Sequence, residues 1–411
     1  MDLKAKLGRL RAPLGAGMEP SKSHTLEVLR SRMAEILAPG ALAPAPTLAD
    51  PGLTTLPFAL RELGGGQLHQ RLERLPRSHR VGRLVTEAAR DSRAEMLALL
   101  ALDPTLASAE PARFLFVDTE TTGLGTGAGV LPFLVGLGWF DADGALVLEQ
   151  LLLKSPSEER AMLDHLEQRF SHASAVVSFN GKSFDLPLLA SRRVMNHQRA
   201  LPALPHLDLL HVARRLHKRR LGGCRLGQIE SHVIGFERSG DIEGSEVAAR
   251  YTHFLRTGDE RALEQVVEHN AWDVVSMVAL VGLYGEPLSG LAAEDLVELA
   301  RTLRRGRALE RAAEVADRAV ALGAGVEALR VRAELAKARG DRAWALRDFE
   351  ALAQEVDEPA VRLELAKLYE HWVKVPEAAL AVLARGTGEG QAAEARRRAR
   401  LTRKAVGPRG R

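Results

Sequence analysis

The stretch Phe114-Leu-Phe-Val-Asp118-Thr-Glu120-Thr-Thr-Gly123 decides the fold. Four apolar residues read as a buried strand, and they run straight into two carboxylates one residue apart. Side chains alternate along a strand, so Asp118 and Glu120 share a face with Cα atoms about 7 Å apart, and Thr119 turns to the other. Two carboxylates at about 4 Å repel by roughly 4 kcal/mol at an effective dielectric of about 20. Something positive must offset that, and hard oxygen donors favour Mg2+ or Mn2+. A lone Asp-x-Glu is more often a strand end reaching solvent, so its company decides.

Working outward, Phe133 to Phe140 and Ala145 to Leu153 are strands around the polar turn Asp141-Ala-Asp-Gly144, an antiparallel hairpin. Ser155-Pro-Ser-Glu158 offers an N-cap, a proline at the first helical position and a capping box, and predicts a helix to about Phe170. Ala175-Val-Val-Ser-Phe179 reads as a strand, Leu186 to Val194 as a helix, and Leu204 to Leu210 as a last strand. Helices through Ser231, His253 and Met277 follow. A hairpin feeding βα units predicts an α/β fold with a mixed sheet flanked by helices.

The same elements carry further acids. Asp185 follows the strand at 175–179 and opens a helix. Asp273 lies on a late helix with His269 one turn earlier, on the same face. Four acids at the ends of separate elements, Asp118, Glu120, Asp185 and Asp273, can hold two divalent ions, which stabilise the attacking and leaving oxygens of an in-line phosphoryl displacement. His269 can take the proton of the attacking water near neutral pH. Asp208 reads as a supporting acid or a further ligand, and Glu149 and Glu230 as ordinary acids.

These residues carry a resemblance. Asp118-x-Glu120, Asn180-x-x-x-Phe184-Asp185 and Asp273 resemble the three motifs of the DEDD 3′-5′ exonucleases of the ribonuclease H-like superfamily. More closely, the run resembles the YprB-like ribonuclease H-like proteins, a bacterial group predicted to be exonucleases. Phe179-Asn-Gly-Lys-Ser-Phe-Asp185, His206-Leu-Asp-Leu-Leu-His211 with Arg214-Arg215, Cys224-Arg-Leu226 with Glu230, Asp241-Ile-Glu-Gly244, and His269-Asn270 with Asp273 carry it, over roughly 113–280. The resemblance implies a ribonuclease H-like sheet, a two-metal 3′-5′ exonuclease, and a nucleic-acid substrate with a free 3′ end. By analogy, Thr119, Thr122, Leu124, Asn180 and Phe184 would line the terminal-nucleotide pocket, with Asn270 behind the ligands. Lys182, Arg214, Arg215 and the basic run to Arg220 would hold phosphates. One departure matters: His269 stands four residues before Asp273, a spacing at which better-known branches carry tyrosine, and Asn270 and Trp272 also differ. Two readings stay open beside the exonuclease: an inactive nucleic-acid-binding scaffold and a structure-specific endonuclease of the same superfamily.

Two tempting motifs fail. Gly181-Lys-Ser183 mimics a P-loop, but Val176 stands where the first glycine is required. Gly123-Leu-Gly-Thr-Gly-Ala-Gly129 lacks dinucleotide-loop spacing and follows two carboxylates that would repel pyrophosphate.

The remaining 411-residue chain sets the frame. A single cysteine, Cys224, excludes an internal disulfide and suggests a reducing, cytoplasmic setting. The apolar run Val130 to Phe140 is too short to span a bilayer, so no membrane role is expected. Residues 1–53 read as an amphipathic helix (Leu26, Leu29, Met33, Ile36, Leu37) and an Ala/Pro linker, 54–112 as an extension without a clear pattern, and 113–284 as the catalytic domain. From 285 to 390 the chain turns helical. Glu298-Leu-Ala-Arg, Glu334-Leu-Ala-Lys and Glu364-Leu-Ala-Lys recur near the tetratricopeptide period and suggest a protein-binding or packing role. Residues 391–411 read as a disordered basic tail.

Overall fold

The apolar run and both acids lie on one strand, β5 (Phe114–Thr121), at the centre of a seven-stranded sheet. The computed structural model describes residues 56–123, 129–286 and 289–406. The expected helix and linker at 1–53, Leu124 and the last residues of the tail lie outside them. Around β5 run β1 (Ala59–Leu63), β2 (Gly66–Leu75), β6 (Pro132–Phe140), β7 (Leu146–Leu152), β8 (Ala175–Ser178) and β9 (His206–Asp208), in the order β1-β2-β7-β6-β5-β8-β9. β5 pairs antiparallel with β6 and parallel with β8, so it marks the switch from hairpin to βα units. A separate two-stranded ribbon is made by β3 (Arg80–Val81) and β4 (Leu84–Val85).

Between and after the strands lie α1 (Glu87–Arg90), α2 (Ala94–Ala101), α3 (Glu159–His172), α4 (Asp185–Met195), α5 (Leu209–Leu216), α6 (Lys218–Leu221), α7 (Leu226–Ile229), α8 (Gly244–Thr257) and α9 (Glu264–Gly285). Alternation along β5 divides two cores. Phe114 and Phe116 pack with α2, α5 and α9, while Leu115 and Val117 pack with α3 and α8. The region from Glu260 to Gly285, which contains α9, has the length and composition of a membrane span, yet 67% of its most apolar window is buried inside this fold.

Three expectations change. The segment 54–112 supplies β1 and β2, which extend the sheet beyond β7; Gly64 and Gly65, both at positive φ, turn one into the other. The last strand is only His206–Asp208, because Asp208 accepts from the Leu210 amide and caps α5. The capping box at Ser155 does not close as drawn: Ser155 accepts from the Ser157 amide, and Glu158 reaches back to the Lys154 amide.

Beyond the sheet the chain is helical: α10 (Ala293–Arg305), α11 (Leu309–Ala321), α12 (Gly325–Ala338), α13 (Arg342–Glu355), α14 (Pro359–Leu368), α15 (Pro376–Ala384) and α16 (Gln391–Ala405). The three recurring Glu-Leu-Ala motifs fall on α10, α12 and α14, each followed by its packing partner. Leu296, Leu299, Leu303, Val315 and Val331 join the same apolar core as Phe116 and α9, so this region packs on the sheet domain. The tail is not disordered up to Ala405: α16 lays Arg397, Arg400 and Lys404 on the buried Glu370.

Candidate active site

β5, α4 and α9 carry the acids. The β6 glycines bring α9 close. Gly136 stands beside Asp118 and Gly138 beside Phe116 in register. A Cβ on Gly136 would lie 2.9 Å from Cγ and Nδ2 of Asn270; one on Gly138 would lie 2.8 Å from Val274 Cγ1. With no side chain in the way, Asn270 and Val274, one turn apart, seat on the sheet. Asn270 Nδ2 then donates to Asp118 Oδ2 at 2.8 Å. His269 and Asp273 sit on the adjoining face, His269 Nε2 4.0 Å from Asp273 Oδ2.

Asp185 opens α4 after the turn that follows β8. Asn180 adopts a left-handed backbone there, φ 75°, a conformation asparagine tolerates. Gly181 packs beneath: a Cβ would lie 2.5 Å from Ser178 Oγ and 2.9 Å from Asp185 Oδ2. Asp208 braces the turn from β9, accepting from the amides of Asn180 at 2.8 Å and Lys182 at 3.1 Å. The structure thus gives Asp208 a supporting role in the turn that presents Asp185. Thr119, although on the opposite face of β5, reaches Asp185 with its hydroxyl.

The acids perturb one another. Burial pushes the Asp118 carboxyl well above its usual range, and Asp273, Glu120 and Asp185 add to this, while the Asn270 hydrogen bond opposes it. Glu120 is pushed up to about 7, mainly by burial, against the pull of His269. Asp185 rises to about 6, again mainly by burial, with the Thr119 hydrogen bond opposing. Burial works against the His269 cation, but Asp273, Glu120 and Asp241 outweigh it and raise that pKa. A divalent cation among these carboxyls would relieve their repulsion and favour their ionised form.

His269 lies inside α9, not at its cap. Its Nδ1 is 2.6 Å from Asp241 Oδ1 and 3.1 Å from Arg238 Nη1. The Asp241 carboxylate is the nearer partner and can only accept, which places a proton on Nδ1 and leaves Nε2 towards Asp273; Arg238, which can only donate, then lies beside Nδ1 without a hydrogen bond to it. Arg238 also donates to Asp273 and pairs through two nitrogens with Glu230, at 2.8 and 2.5 Å. Glu230 is therefore no ordinary acid: it is buried and anchors this arginine. Glu149 is buried too, in a separate cluster with His165 and Arg169.

Comparison with known proteins bears on the whole constellation. Residues 115–284 match the family model described as RNase_H superfamily. Those residues are a ribonuclease H-superfamily domain. The chain is 39% identical over 168 residues to the Uncharacterized protein YprB of Bacillus subtilis (strain 168), covering 40% of this chain and 40% of that relative's length. Among solved structures it is similar to the family B DNA polymerase from the hyperthermophilic archaeon Pyrobaculum calidifontis, at 14% identity and a TM-score of 0.34, over 47% of this chain and 29% of that one.

Within the ribonuclease H-superfamily domain, Asp118, Glu120, Asp185, His269 and Asp273 interact as one electrostatic cluster, and Asn270 touches it directly. The all-oxygen donor set suits a hard divalent ion. Even so, among the described residues no three of His, Cys, Asp and Glu stand as a ready-made ligating group. Asp273 is engaged by Arg238 and Asp185 by Thr119, which accounts for two of the four. Of the substrate residues expected from the resemblance, Phe184 and Lys182 are exposed beside Asp185, with Lys182 Nζ 3.9 Å from Asp103. Thr122 accepts from the Leu131 amide and closes the mouth of the β5–β6 loop. The basic run behaves differently from expectation. Arg215 donates to the Leu100 carbonyl of α2, whereas Arg219 pairs with Glu298 and Glu327 and Arg220 with Asp295, so those two hold the helical region and only Arg214 and Lys218 are exposed without these contacts.

Sequence reasoning missed Arg238, Gln150 and Gly136. Arg238 sits in a loop with no periodic signal. Gln150 and its neighbour Glu149 interrupt an otherwise apolar strand, but nothing local says what either meets.

Proposed function

We propose that this protein is a metal-dependent phosphodiesterase, a 3′-5′ exonuclease acting on DNA or RNA. The observation that carries this is the convergence of Asp118, Glu120, Asp185 and Asp273, from three separate elements, into one cluster, in which burial and the neighbouring acids hold Asp118, Glu120 and Asp185 above their usual range. The ribonuclease H-superfamily match and the identity to YprB support the same reading.

Those four carboxylates would hold Mg2+ or Mn2+, two ions in all, which would stabilise charge on the attacking and leaving oxygens. His269, its Nδ1 proton held by Asp241, would accept the proton of the attacking water at Nε2. Arg238 would give up Asp273 as the ion is taken and stay anchored to Glu230. Phe184, exposed beside Asp185, would stack on the terminal base, and Lys182 would meet a backbone phosphate.

The test is degradation of 5′-labelled single-stranded and duplex DNA and RNA in Mn2+, with free and blocked 3′ ends and a circular substrate alongside. A ladder that shortens from the 3′ end, blocked by 3′ modification and absent on the circle, is the expected result. Cleavage of the circle would favour an endonuclease. Absence of cleavage together with absence of Mn2+ uptake would favour a nucleic-acid-binding scaffold.

A further inference from the structure

Four positions in register cross the sheet in one row on the α9 side: Arg71 on β2, Gln150 on β7, Gly136 on β6 and Asp118 on β5. The gap at Gly136 is filled by Asn270. Gln150 and Asn270 are fully buried. Arg71 Nη1 donates to Gln150 Oε1 at 3.1 Å, Gln150 Nε2 donates to Asn270 Oδ1 at 2.9 Å, and Asn270 Nδ2 donates to Asp118 Oδ2 at 2.8 Å.

The polarity of this chain is forced. An arginine can only donate, so the atom of Gln150 that faces it is the oxygen. The Gln150 amide nitrogen therefore faces inward, where it also meets the Val267 carbonyl at 2.7 Å, an acceptor that enforces the same orientation. The oxygen of Asn270 must then face Gln150, which aims its nitrogen at Asp118. A cation and a backbone carbonyl thus set two amides so that one Asp118 oxygen always meets a donor.

We propose that Asn270, oriented by Gln150 and Arg71, is a positioning residue that holds the Asp118 carboxylate correctly turned as a metal ligand. The proposal rests on the reading of Asp118 as a ligand, and it makes β2, from outside the 115–284 match, a working part of the site. Residues behind a metal ligand commonly change metal affinity or activity by about 10–100-fold when lost.

Gln150→Glu supplies the decisive contrast. A carboxylate at 150 can only accept, so Asn270 must turn its nitrogen towards it and its oxygen towards Asp118. The relay then works against the site, although plain electrostatics would have an added negative charge bind cations more tightly. Mn2+ binding would be followed by calorimetry on the full chain, with kcat and KM on a single-stranded oligonucleotide and the thermal midpoint alongside. Gln150→Glu and Asn270→Ala are expected to weaken Mn2+ binding by about 10–100-fold and to lower kcat with KM unchanged; Arg71→Lys, still a pure donor, should stay near wild type. If folded Gln150→Glu binds Mn2+ as well as wild type or better, or Asn270→Ala binds it equally, the relay is refuted. Asn270→Ala keeps the test open should Gln150→Glu fail to fold. A wild-type protein that takes up no Mn2+ would instead defeat the ligand reading beneath it, and the wild-type arm tells the two failures apart.

Discussion

Gly136→Ala and Gly138→Ala are neighbouring substitutions of identical chemistry with different expected consequences. Both add a methyl group under α9. At 138 it meets Val274 Cγ1 at 2.8 Å and Phe116 Cβ at 3.4 Å; at 136 it meets the Asn270 amide, with Cγ and Nδ2 at 2.9 Å. Overpacking of this kind costs typically about 1–3 kcal/mol. The gain of about 0.5–1 kcal/mol from replacing glycine in a strand is common to both and cancels in the comparison. Only the change at 136 also pushes Asn270 off Asp118, and a hydrogen bond to a charged group contributes about 1.5–3 kcal/mol. Before that shared gain, Gly136→Ala is therefore expected to lose about 2.5–6 kcal/mol and Gly138→Ala about 1–3 kcal/mol. Urea unfolding at pH 7, with and without Mn2+, measures both effects. An ion at about 100 times its Kd stabilises by about 2.7 kcal/mol, and that increment should survive in Gly138→Ala and shrink or vanish in Gly136→Ala. Equal losses of the Mn2+ increment in the two variants would refute the reasoning, because they would mean that the approach of α9 as a whole matters and the Asn270 contact does not.

Other perturbations have defined outcomes. Glu120 rises from 4.5 to about 7 and Asp185 from 3.8 to about 6 in the fold, so between those values the folded chain holds protons that the unfolded chain releases. The metal-free protein should lose stability as pH rises from about 5 to 8, by at most about 3 kcal/mol from Glu120 and less after allowance for its partial exposure. Urea midpoints in chelator should fall over that range, and Glu120→Gln should flatten the slope; a midpoint that climbs from pH 5 to 8 contradicts the assignment. Arg238→Gln strands the buried Glu230 and should cost about 3–5 kcal/mol. Adding Glu230→Gln should restore much of that in thermal melts, and no recovery would mean that Arg238 acts elsewhere. Asp208→Ala removes the acceptor for the amides of Asn180, Lys182 and Leu210 and should cost about 2–4 kcal/mol, at about 1–3 kcal/mol for each group left unsatisfied and some rescue by water. A change below about 0.5 kcal/mol would show that the turn presenting Asp185 stands without it.

Much of the fold was legible because local signals agreed with the global arrangement. The apolar runs at 114–117, 133–140 and 146–152, with their polar turn, mark three strands unaided, and the acids stand out because apolar strands rarely end in two of them. β1 and β2 were not legible: their alternation is broken by Arg71, Glu73 and Arg74, and what they pack against lies far along the chain. The strand drawn to Leu210 stopped at Asp208 because a cap overrides the apolar residues after it. The tail from 391 read as disordered by charge density, yet its cations face a glutamate on a preceding turn, a pairing that composition does not reveal. In the site, the acids and His269 were legible from type and spacing. Arg238, Gln150 and Gly136 were not, because their meaning lies in contacts across strands and loops. The basic run at 214–220 misled for the same reason: a string of cations looks alike whether its partners are phosphates or the acids of α10 and α12.

The most direct measurement is Mn2+-dependent release of nucleotides from a 3′-end-labelled oligonucleotide by the wild-type protein and by Asp118→Asn, with Mn2+ uptake by calorimetry on the same samples. The account predicts that wild type binds the ion and releases labelled nucleotide, and that Asp118→Asn stays folded while losing both. An Asp118→Asn protein that cleaves in Mn2+ as fast as wild type would contradict it.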